Sequence, residues 1–201
     1  MRMYLMRHGE TEWNRLLKLQ GRSDIPLNDN GIAMAKNAAK GLLDVDFSVI
    51  YSSPLTRALQ TAEIIRGAGN IDIIKDDRII EIGFGENEGR KYDKTKPEEY
   101  PDLIKFFTEP DIYVPANGGE TIENLKERTA NFVKYIAKTY GATDDNILVT
   151  THGATIRGIM SYIKGTSLRD FWRGGVQSNC GVTIIEITDE SITIISENIT
   201  F

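Results

Sequence analysis

Short runs of apolar residues alternate along the chain with stretches in which apolar residues recur every three or four positions. The short runs are typical of buried strands, and the longer spacing is typical of helices that pack one face on a core. The first run, residues 3–6, has no alternation of apolar and polar positions, which predicts a strand covered on both faces. The other predicted strands are residues 47–52, 71–74 and 147–151, followed by a hairpin of residues 182–187 and 191–195.

Helices are predicted between these strands by their apolar spacing and by the residues that begin and end them. Asn28 is a good N-cap for the first helix. Ser53 and Pro54 fit the N-cap and the first position of a second helix, which runs to about residue 65. The longest helix is predicted from Thr121 to the glycine at residue 141. The remaining predicted helices are residues 98–107, inside an irregular excursion over residues 76–115, and residues 154–163.

This order of strands and helices predicts the fold class. Strands that alternate with helices favour a mostly parallel sheet with helices on both faces. The final hairpin adds an antiparallel edge. We therefore expect an α/β fold, a three-layer α/β/α sandwich with a mostly parallel sheet and an antiparallel edge hairpin. The length of 201 residues fits a single domain over residues 1–201.

Composition and charge exclude several classes of protein. With 40% hydrophobic and 26% charged residues, the sequence is neither disordered nor of low complexity. Its net charge of −5 argues against a protein that binds nucleic acid non-specifically. We expect no membrane partner, because neither a long apolar run nor a secretory signal is recognisable. The single cysteine, Cys180, cannot form an internal disulfide, which fits the reducing cytoplasm.

Polar side chains follow three of the predicted strands at their carboxyl ends. His8 follows the first strand, Ser53 and Arg57 follow the second, and His152 follows the strand that begins at residue 147. Open α/β sheets bind their ligands at the carboxyl ends of the strands. We therefore expect these three groups, which are remote in sequence, to meet at one rim of the sheet.

The residues at this rim are suited to bind an anion. Both histidines of the chain precede a glycine, which leaves space beside the ring and exposes a backbone N–H. One such histidine is more often structural, but two in the same setting favour a function. Arg7 lies beside the first, and Arg57 lies in the first turn of a helix, where the helix dipole favours an anion. A phosphoryl group suits this set of donors best. The alternative for Arg57 is a surface ion pair with Glu63 or Asp46.

The same residues indicate a reaction. The sequence contains no recognisable set of metal ligands, so the arginines must supply the charge that a metal supplies in most phosphoryl transfer. A neutral imidazole can attack phosphorus and form a phosphohistidine that water then hydrolyses. The departing alkoxide needs a general acid. Glu81 is the best candidate, because apolar neighbours and a nearby phosphate both disfavour its charged form, whereas Glu88 fits a structural role.

These residues belong to an ordered signature that spans almost the whole chain. Its elements are Arg-His-Gly-Glu-Thr at residues 7–11, Asn14, Gln20-Gly21, Ser-Pro-Leu-x-Arg-Ala at residues 53–58, Glu81, Glu88-Gly89, Gly-Glu-Thr at residues 119–121, and His152-Gly153 with Arg157. In these elements the chain resembles the histidine phosphatase superfamily, in its phosphoglycerate mutase-like group. One departure is Asn87, where members of this family often have tryptophan.

The resemblance implies a role for each matched residue. It makes His8 the phosphorylated nucleophile and Glu81 the proton donor, while Arg7, Arg57 and His152 hold the phosphoryl oxygens. The implied substrate contacts are Asn14, Gln20, Gly21, Glu120, Thr121 and Gly153. For Glu120 and Thr121, a structural role at the start of a helix is an equally good interpretation. We expect neither a metal nor a cofactor, since the sequence offers no set of metal ligands.

The family divides into mutases, which return the phosphoryl group to a substrate hydroxyl, and phosphatases, which pass it to water. Mutases of this group have a longer excursion with a Gly-Leu-Asn-Lys-like stretch, whereas residues 89–93 here read Gly-Arg-Lys-Tyr-Asp. We therefore expect a metal-independent phosphatase that acts on small phosphorylated metabolites, as a monomer or homodimer. The alternatives are a cofactor-dependent phosphoglycerate mutase, an α-ribazole-type phosphatase and a non-catalytic module that binds a phosphorylated ligand.

Overall fold

A computed structural model describes residues 1–92 and 101–201 of the chain. Its strands are β1 (Arg2–Arg7), β2 (Phe47–Ser52), β3 (Ile73–Lys75), β4 (Asn146–Thr151), β5 (Val182–Ile187) and β6 (Ile192–Ile199). They form a six-stranded sheet in the order β3-β2-β4-β1-β5-β6. β1 to β4 pair in parallel, whereas β5 and β6 form an antiparallel hairpin at one edge.

Helices cover both faces of this sheet, which confirms the predicted fold class. They are α1 (Glu12–Arg15), α2 (Asp29–Gly41), α3 (Thr56–Arg66), α4 (Pro101–Thr108), α5 (Ile122–Tyr140) and α6 (Gly153–Lys164). α2 and α3 pack on one face through Ala35, Ala38 and Ala62, and α5 and α6 pack on the other through Phe132 and Ile159. Both faces of β1 are therefore buried, as its uninterrupted apolar run predicts. No helix in the described part of the chain is long and apolar enough to cross a membrane.

The pairing of β1, β2 and β4 places their carboxyl ends at the same height. Arg7 of β1 pairs with Thr151 of β4, and Ser52 of β2 pairs with Thr150 of the same strand. The residues that follow these strands, which include both histidines, therefore emerge at one rim of the sheet. This is the convergence that the sequence predicts.

The excursion between β3 and α5 forms an apolar cluster of its own beside this rim. Its buried members include Phe84, Phe106 and Tyr113 from the excursion and Phe171 from the loop after α6. α4 accounts for most of the helix predicted over residues 98–107. The predicted beginning of that helix, and residue 93 of the stretch that distinguishes mutases, lie outside the described residues.

The start of α3 differs from the prediction. Ser53 does not cap the helix, because its backbone N–H continues the pairing with β4 through a 3.0 Å bond to Thr150 O. The helix begins at Thr56, with Leu55 in the N-cap position and no side-chain cap. Arg57 nevertheless lies in the first turn, as predicted.

Two strands also differ from the prediction by two or more residues at one end. The third strand is β3 rather than residues 71–74, since Ile73–Lys75 are the residues that pair with β2. β6 ends at Ile199 rather than at residue 195, because Ile199 is still paired with Val182 of β5. Neither difference changes the order of the strands.

Candidate active site

A cavity of about 150 Å³ opens at the rim where β1, β2 and β4 end. Four of the five residues predicted to carry the chemistry line it, namely Arg7, His8, Arg57 and Glu81. The fifth, His152, is fully buried, and its ring centre lies 5.2 Å from that of His8. The structure thus brings together residues that are scattered over most of the sequence.

His8 is held as a neutral imidazole with one nitrogen available. Its Nδ1 lies 2.7 Å from the carbonyl oxygen of Gly9. Because a carbonyl oxygen only accepts, Nδ1 carries the proton and the lone pair is on Nε2. Burial, and then the charges of Arg57 and Arg7, lower the pKa of His8 well below its ordinary value. The ring is therefore uncharged at neutral pH, as a nucleophile must be.

His152 has the opposite tautomer. Arg57 Nε donates to His152 Nδ1 at 3.2 Å, so the proton is on Nε2, which donates to Ser53 Oγ at 2.7 Å. Burial, and then the charge of Arg57, lower the pKa of His152 well below its ordinary value. In this arrangement His152 fixes the guanidinium of Arg57. A hydrogen bond from His152 to an incoming oxygen requires exchange of the Ser53 contact.

Arg57 is fully buried and uses every nitrogen of its guanidinium. Nη1 donates to Ser23 O at 2.9 Å, Nη2 donates to Gly21 O at 2.7 Å, and Nε contacts His152. This burial excludes the alternative of a surface ion pair. Burial also lowers the pKa of Arg57 to about 10, which leaves it protonated at neutral pH. A buried positive charge bonded to neutral groups attracts an anion strongly.

Arg7 supplies a donor that is not yet satisfied. Its Nη1 donates to Gln177 O at 2.8 Å, but its buried Nε has no hydrogen-bond partner among the described residues. Such groups are rare and call for an explanation, such as a bound ligand or water. A Cβ at Gly153 would lie 3.7 Å from this Nε and only 2.9 Å from Val176 Cγ1. Glycine at this position therefore keeps the approach to Arg7 open.

Glu81 binds the first turn of α6. Its Oε2 accepts from Ala154 N at 3.2 Å, and its Oε1 accepts from Thr155 N at 3.1 Å and from Ile82 N at 3.0 Å. The first N–H groups of a helix have no partner within the helix and need a cap. His152 occupies the N-cap position but makes no side-chain cap bond. Glu81 takes that role from a distant part of the chain, which fixes its carboxyl group at the cavity.

The predicted substrate contacts fall into two groups. The group that lines the cavity consists of Asn14, Gln20, Gly21 and Gly153. Glu120 and Thr121 are not part of the described lining. Glu120 forms ion pairs with Arg22 and Arg128, and Thr121 caps α5 by accepting from Asn124 N. The alternative of a helix start therefore describes Thr121, whereas the carboxyl group of Glu120 is held by two arginines.

Glu88 has a structural position, in agreement with the role predicted for it. Its Oε1 accepts from Arg22 N and Phe84 N, and its Oε2 accepts from Ser23 N and Oγ. These bonds hold the turn whose carbonyl groups bind Arg57. Gly21 in this turn has φ +55°, and a Cβ there would lie 2.1 Å from Glu88 Oε1. Only glycine fits this close approach.

The rest of the lining is largely aromatic. It comprises Phe84, Phe106, Phe107 and Trp172, with Leu19, Lys18, Ala154 and Val176 beside them. The rings of Phe106 and Trp172 meet edge to face at 5.1 Å between ring centres, which fixes the orientation of both. The sequence pattern does not predict that these residues line the cavity. The helical spacing of α4 marks its phenylalanines as apolar but does not show that they face a ligand.

Two polar residues, neither of them predicted to have a role, hold the peptide group that follows the nucleophile. Thr61 Oγ1 accepts from Gly9 N at 3.1 Å, and Asn179 Nδ2 donates to His8 O at 2.9 Å. Thr61 lies one helical turn after Arg57 and donates to its carbonyl oxygen. That spacing is a signal that could have identified it, whereas nothing in the sequence around Asn179 indicates its position.

The positive charge at the cavity comes from side chains. Arg7, Arg57 and Lys18 line it, and Glu81 is the one acidic residue in the described lining. In residues 1–92 and 101–201, no group of three or more His, Cys, Asp or Glu side chains is placed to hold a metal ion. The described site is therefore equipped to bind an anion with guanidinium groups.

The chain is similar to known proteins over almost its whole length. Residues 3–200 match the family model described as the histidine phosphatase superfamily (branch 1). The chain is 32% identical over 200 residues to Phosphoserine phosphatase 1 of Hydrogenobacter thermophilus, an alignment that covers all of this chain and 93% of that protein.

Solved structures with the same fold cover the whole chain as well. YhfR of Bacillus stearothermophilus superposes with a TM-score of 0.91 at 32% identity, covering 100% of this chain and 98% of that one. The phosphoserine phosphatase of Entamoeba histolytica in complex with 3-phosphoglyceric acid gives a TM-score of 0.84 at 30% identity, covering 99% and 97%.

Proposed function

The chain belongs to the histidine phosphatase superfamily, and we propose that it hydrolyses small phosphate monoesters through a phosphohistidine at His8. The observation that carries this proposal is a neutral His8, oriented by Gly9 O, that shares one cavity with the buried guanidiniums of Arg7 and Arg57. An uncharged imidazole is a good nucleophile, and fixed guanidiniums stabilise a phosphoryl group as it transfers.

In the first half-reaction, the Nε2 lone pair of His8 attacks phosphorus and the bond from phosphorus to the alcohol oxygen breaks. Arg7 offers its Nε hydrogen, which has no hydrogen-bond partner among the residues that the structure describes. Arg57 has five N–H donors, of which three are used by the contacts described above. Glu81 gives a proton to the departing alcohol oxygen. The products are the free alcohol, a phosphohistidine and a Glu81 carboxylate.

In the second half-reaction, a water molecule attacks the phosphorus of the phosphohistidine. The Glu81 carboxylate accepts a proton from this water, and the bond from phosphorus to Nε2 breaks. His8 recovers its lone pair and inorganic phosphate leaves. Throughout the cycle Nδ1 keeps its proton, because Gly9 O accepts from it, and this bond also stabilises the positive charge of the phosphorylated ring.

Two observations support a phosphatase with small substrates. The cavity, at about 150 Å³, has room for a compact ester. Two of the similar proteins are named phosphoserine phosphatases, and one of these binds 3-phosphoglyceric acid in its crystal structure. We therefore propose small phosphorylated metabolites as substrates, with phosphoserine and 3-phosphoglycerate as the first compounds to examine.

The purified protein is expected to release inorganic phosphate from p-nitrophenyl phosphate and from 3-phosphoglycerate, at rates that 2,3-bisphosphoglycerate does not increase. The reason is that water, rather than a second substrate hydroxyl, takes the phosphoryl group from His8. A phosphate assay with and without the bisphosphate measures this. Strong activation by the bisphosphate together with little phosphate release would identify a mutase instead. The His8→Ala protein, purified in the same way, controls for contaminating phosphatases.

Activity is expected to persist in excess EDTA, with less than a twofold change in kcat. Arg7 and Arg57 supply the charge stabilisation that a metal ion supplies in most phosphoryl transfer. The assay compares protein dialysed against EDTA with the same protein after addition of Mg²⁺, Mn²⁺ or Zn²⁺. A strict requirement for one of these ions would show that Arg7 and Arg57 do not replace a metal ion in stabilising the transferring phosphoryl group.

We also propose that the protein works in the cytoplasm on free metabolites. Cys180 is buried as a free thiol, so no disulfide of this chain needs an oxidising compartment. The net negative charge gives no reason to expect nucleic acid as a partner. Fractionation of cells that express a tagged chain tests the location.

A further inference from the structure

We propose that Thr155 is a positioning residue that helps Glu81 to give its proton, because the Thr155 hydroxyl lies between Glu81 and a backbone carbonyl oxygen. The inference rests on the role proposed above for Glu81. The Thr155 side chain is fully buried in the first turn of α6. Its Oγ1 lies 2.8 Å from Ile80 O and 3.0 Å from Glu81 Oε1.

The Thr155 hydroxyl has one hydrogen and two acceptors within reach, so it donates to only one of them at a time. A carboxylate is a stronger acceptor than a neutral carbonyl oxygen. The hydroxyl therefore donates to Glu81 when that residue is ionised, and to Ile80 O when Glu81 carries a proton. The change needs only rotation of the hydroxyl hydrogen, since both oxygens already lie at hydrogen-bond distance.

The two carboxyl oxygens of Glu81 have different surroundings. Oε1 lies within hydrogen-bond distance of Ile82 N, Thr155 N and Thr155 Oγ1. Oε2 accepts from Ala154 N, at the longer distance of 3.2 Å. Because Oε1 is crowded with donors, the geometry makes Oε2 the oxygen that carries the transferable proton.

This arrangement assigns Thr155 a part in the first half-reaction. As the proton leaves Oε2 for the alcohol oxygen, negative charge spreads onto Oε1, and the Thr155 hydroxyl turns from Ile80 O to stabilise it. When water later returns a proton to Oε2, the hydroxyl turns back. Thr155 touches neither substrate nor phosphorus in this scheme. It acts through Glu81 by making the ionised form more stable at the moment when proton transfer requires it.

The test compares two aryl phosphates that differ in how much their leaving groups need a proton. Phenolate from phenyl phosphate is a poor leaving group and needs the general acid. Dinitrophenolate from 2,4-dinitrophenyl phosphate leaves without one. The measured quantity is kcat/KM, which reports the steps up to phosphorylation of His8. The variants are Thr155→Val, which removes the hydroxyl, Thr155→Ser, which keeps it, and Glu81→Gln.

Thr155→Val is expected to lower kcat/KM for phenyl phosphate by roughly tenfold, and that for 2,4-dinitrophenyl phosphate by less than about twofold. Thr155→Ser is expected to restore the phenyl phosphate value to within about threefold of the wild type, because it retains the hydroxyl. Glu81→Gln should lower the phenyl phosphate value by roughly 100-fold or more, again with a small effect on the dinitrophenyl ester.

The ratio of the kcat/KM values for the two substrates distinguishes the possible outcomes. It is unaffected by the fraction of protein that folds, because inactive protein lowers both values equally. Thr155→Ala replaces the valine variant if that one is insoluble. An equal fall for both esters in Thr155→Val, with a selective fall in Glu81→Gln, would show that Thr155 is merely structural and would overturn this inference alone. No selective fall in Glu81→Gln would remove the proposed role of Glu81 itself, and the inference with it.

Discussion

Replacement of His8 by alanine is expected to remove the covalent intermediate and to lower kcat by more than about 10³-fold, which corresponds to more than about 4 kcal/mol of transition-state stabilisation. Nε2 of His8 is the nucleophilic atom in the proposed mechanism, and the resting site prepares it in three ways. Burial and two guanidiniums keep the ring neutral, Gly9 O fixes the tautomer, and Thr61 and Asn179 hold the following peptide group.

The intermediate is measured by mixing the protein with a ³²P-labelled monoester, quenching within milliseconds to seconds and counting the label that remains bound. Phosphohistidine is labile in acid and stable in alkali, so samples quenched each way identify the linkage. The chain has two histidines, and His152→Asn is the matched control. We expect that variant to be labelled on His8, more slowly. Acid-labile label at the wild-type level in His8→Ala would contradict the assignment of the nucleophile.

The strands, and the edge of the sheet at which the two histidines emerge, were predictable because the apolar runs have clear ends. The apolar run of β1 ends at an Arg-His-Gly sequence, and β4 ends at Thr-His-Gly. A buried strand that stops at a histidine and a glycine places both residues at the same edge of a parallel sheet, whatever the exact register. The start of α3 was not predictable in the same way. Ser53 and Pro54 are residue types that often begin a helix. Here the backbone of Ser53 pairs with β4 instead, and the helix starts later.

The chemistry of the site was predictable from residue types, whereas the bonds within it were not. Sequence spacing indicates that His8, Arg57 and His152 meet, but the tautomers of the two rings depend on Gly9 O and on Arg57 Nε. Glu120 follows the same signature and nevertheless lies outside the described lining, because two arginines from elsewhere in the chain pair with it. The tautomers and the position of Glu120 depend on contacts between residues that are not neighbours in sequence, and a local sequence pattern does not predict such contacts.

The aromatic part of the lining shows the same limit for substrate recognition. Phe106 belongs to α4 and Trp172 to the loop after α6, and the sequence separates them by more than sixty residues. In its sequence context, each of these two aromatic residues looks like an ordinary core residue. They line the cavity only because the segment between β3 and α5 packs against the loop after α6. The sequence therefore predicts the class of reaction but not the class of alcohol in the substrate.

Replacement of Arg57 by alanine is expected to lower kcat by at least about 100-fold, by analogy with the removal of one donor to a developing oxyanion. Arg57 is fully buried, remains charged at neutral pH with a pKa of about 10, and has two N–H hydrogens left for phosphoryl oxygens after its bonds to His152, Ser23 and Gly21. Its loss also frees His152 Nδ1, so the tautomer of that ring is no longer fixed. Arg57→Lys, which keeps the charge but lacks the planar fork, should fall between the wild type and the alanine variant.

Loss of a buried guanidinium also leaves two carbonyl groups without donors, so part of any effect could come from reduced stability. Arg78→Ala is the matched control, because Arg78 is a partly buried arginine that pairs with Asp76 and packs on Tyr135, outside the described lining of the cavity. Both variants are expected to lower Tm, but Arg78→Ala should change kcat by less than about twofold. Single-turnover formation of the phosphohistidine at a temperature well below both Tm values separates chemistry from unfolding. A fall of less than threefold in Arg57→Ala under these conditions would show that the guanidinium acts only as a structural link between the turn at Gly21 and the ring of His152.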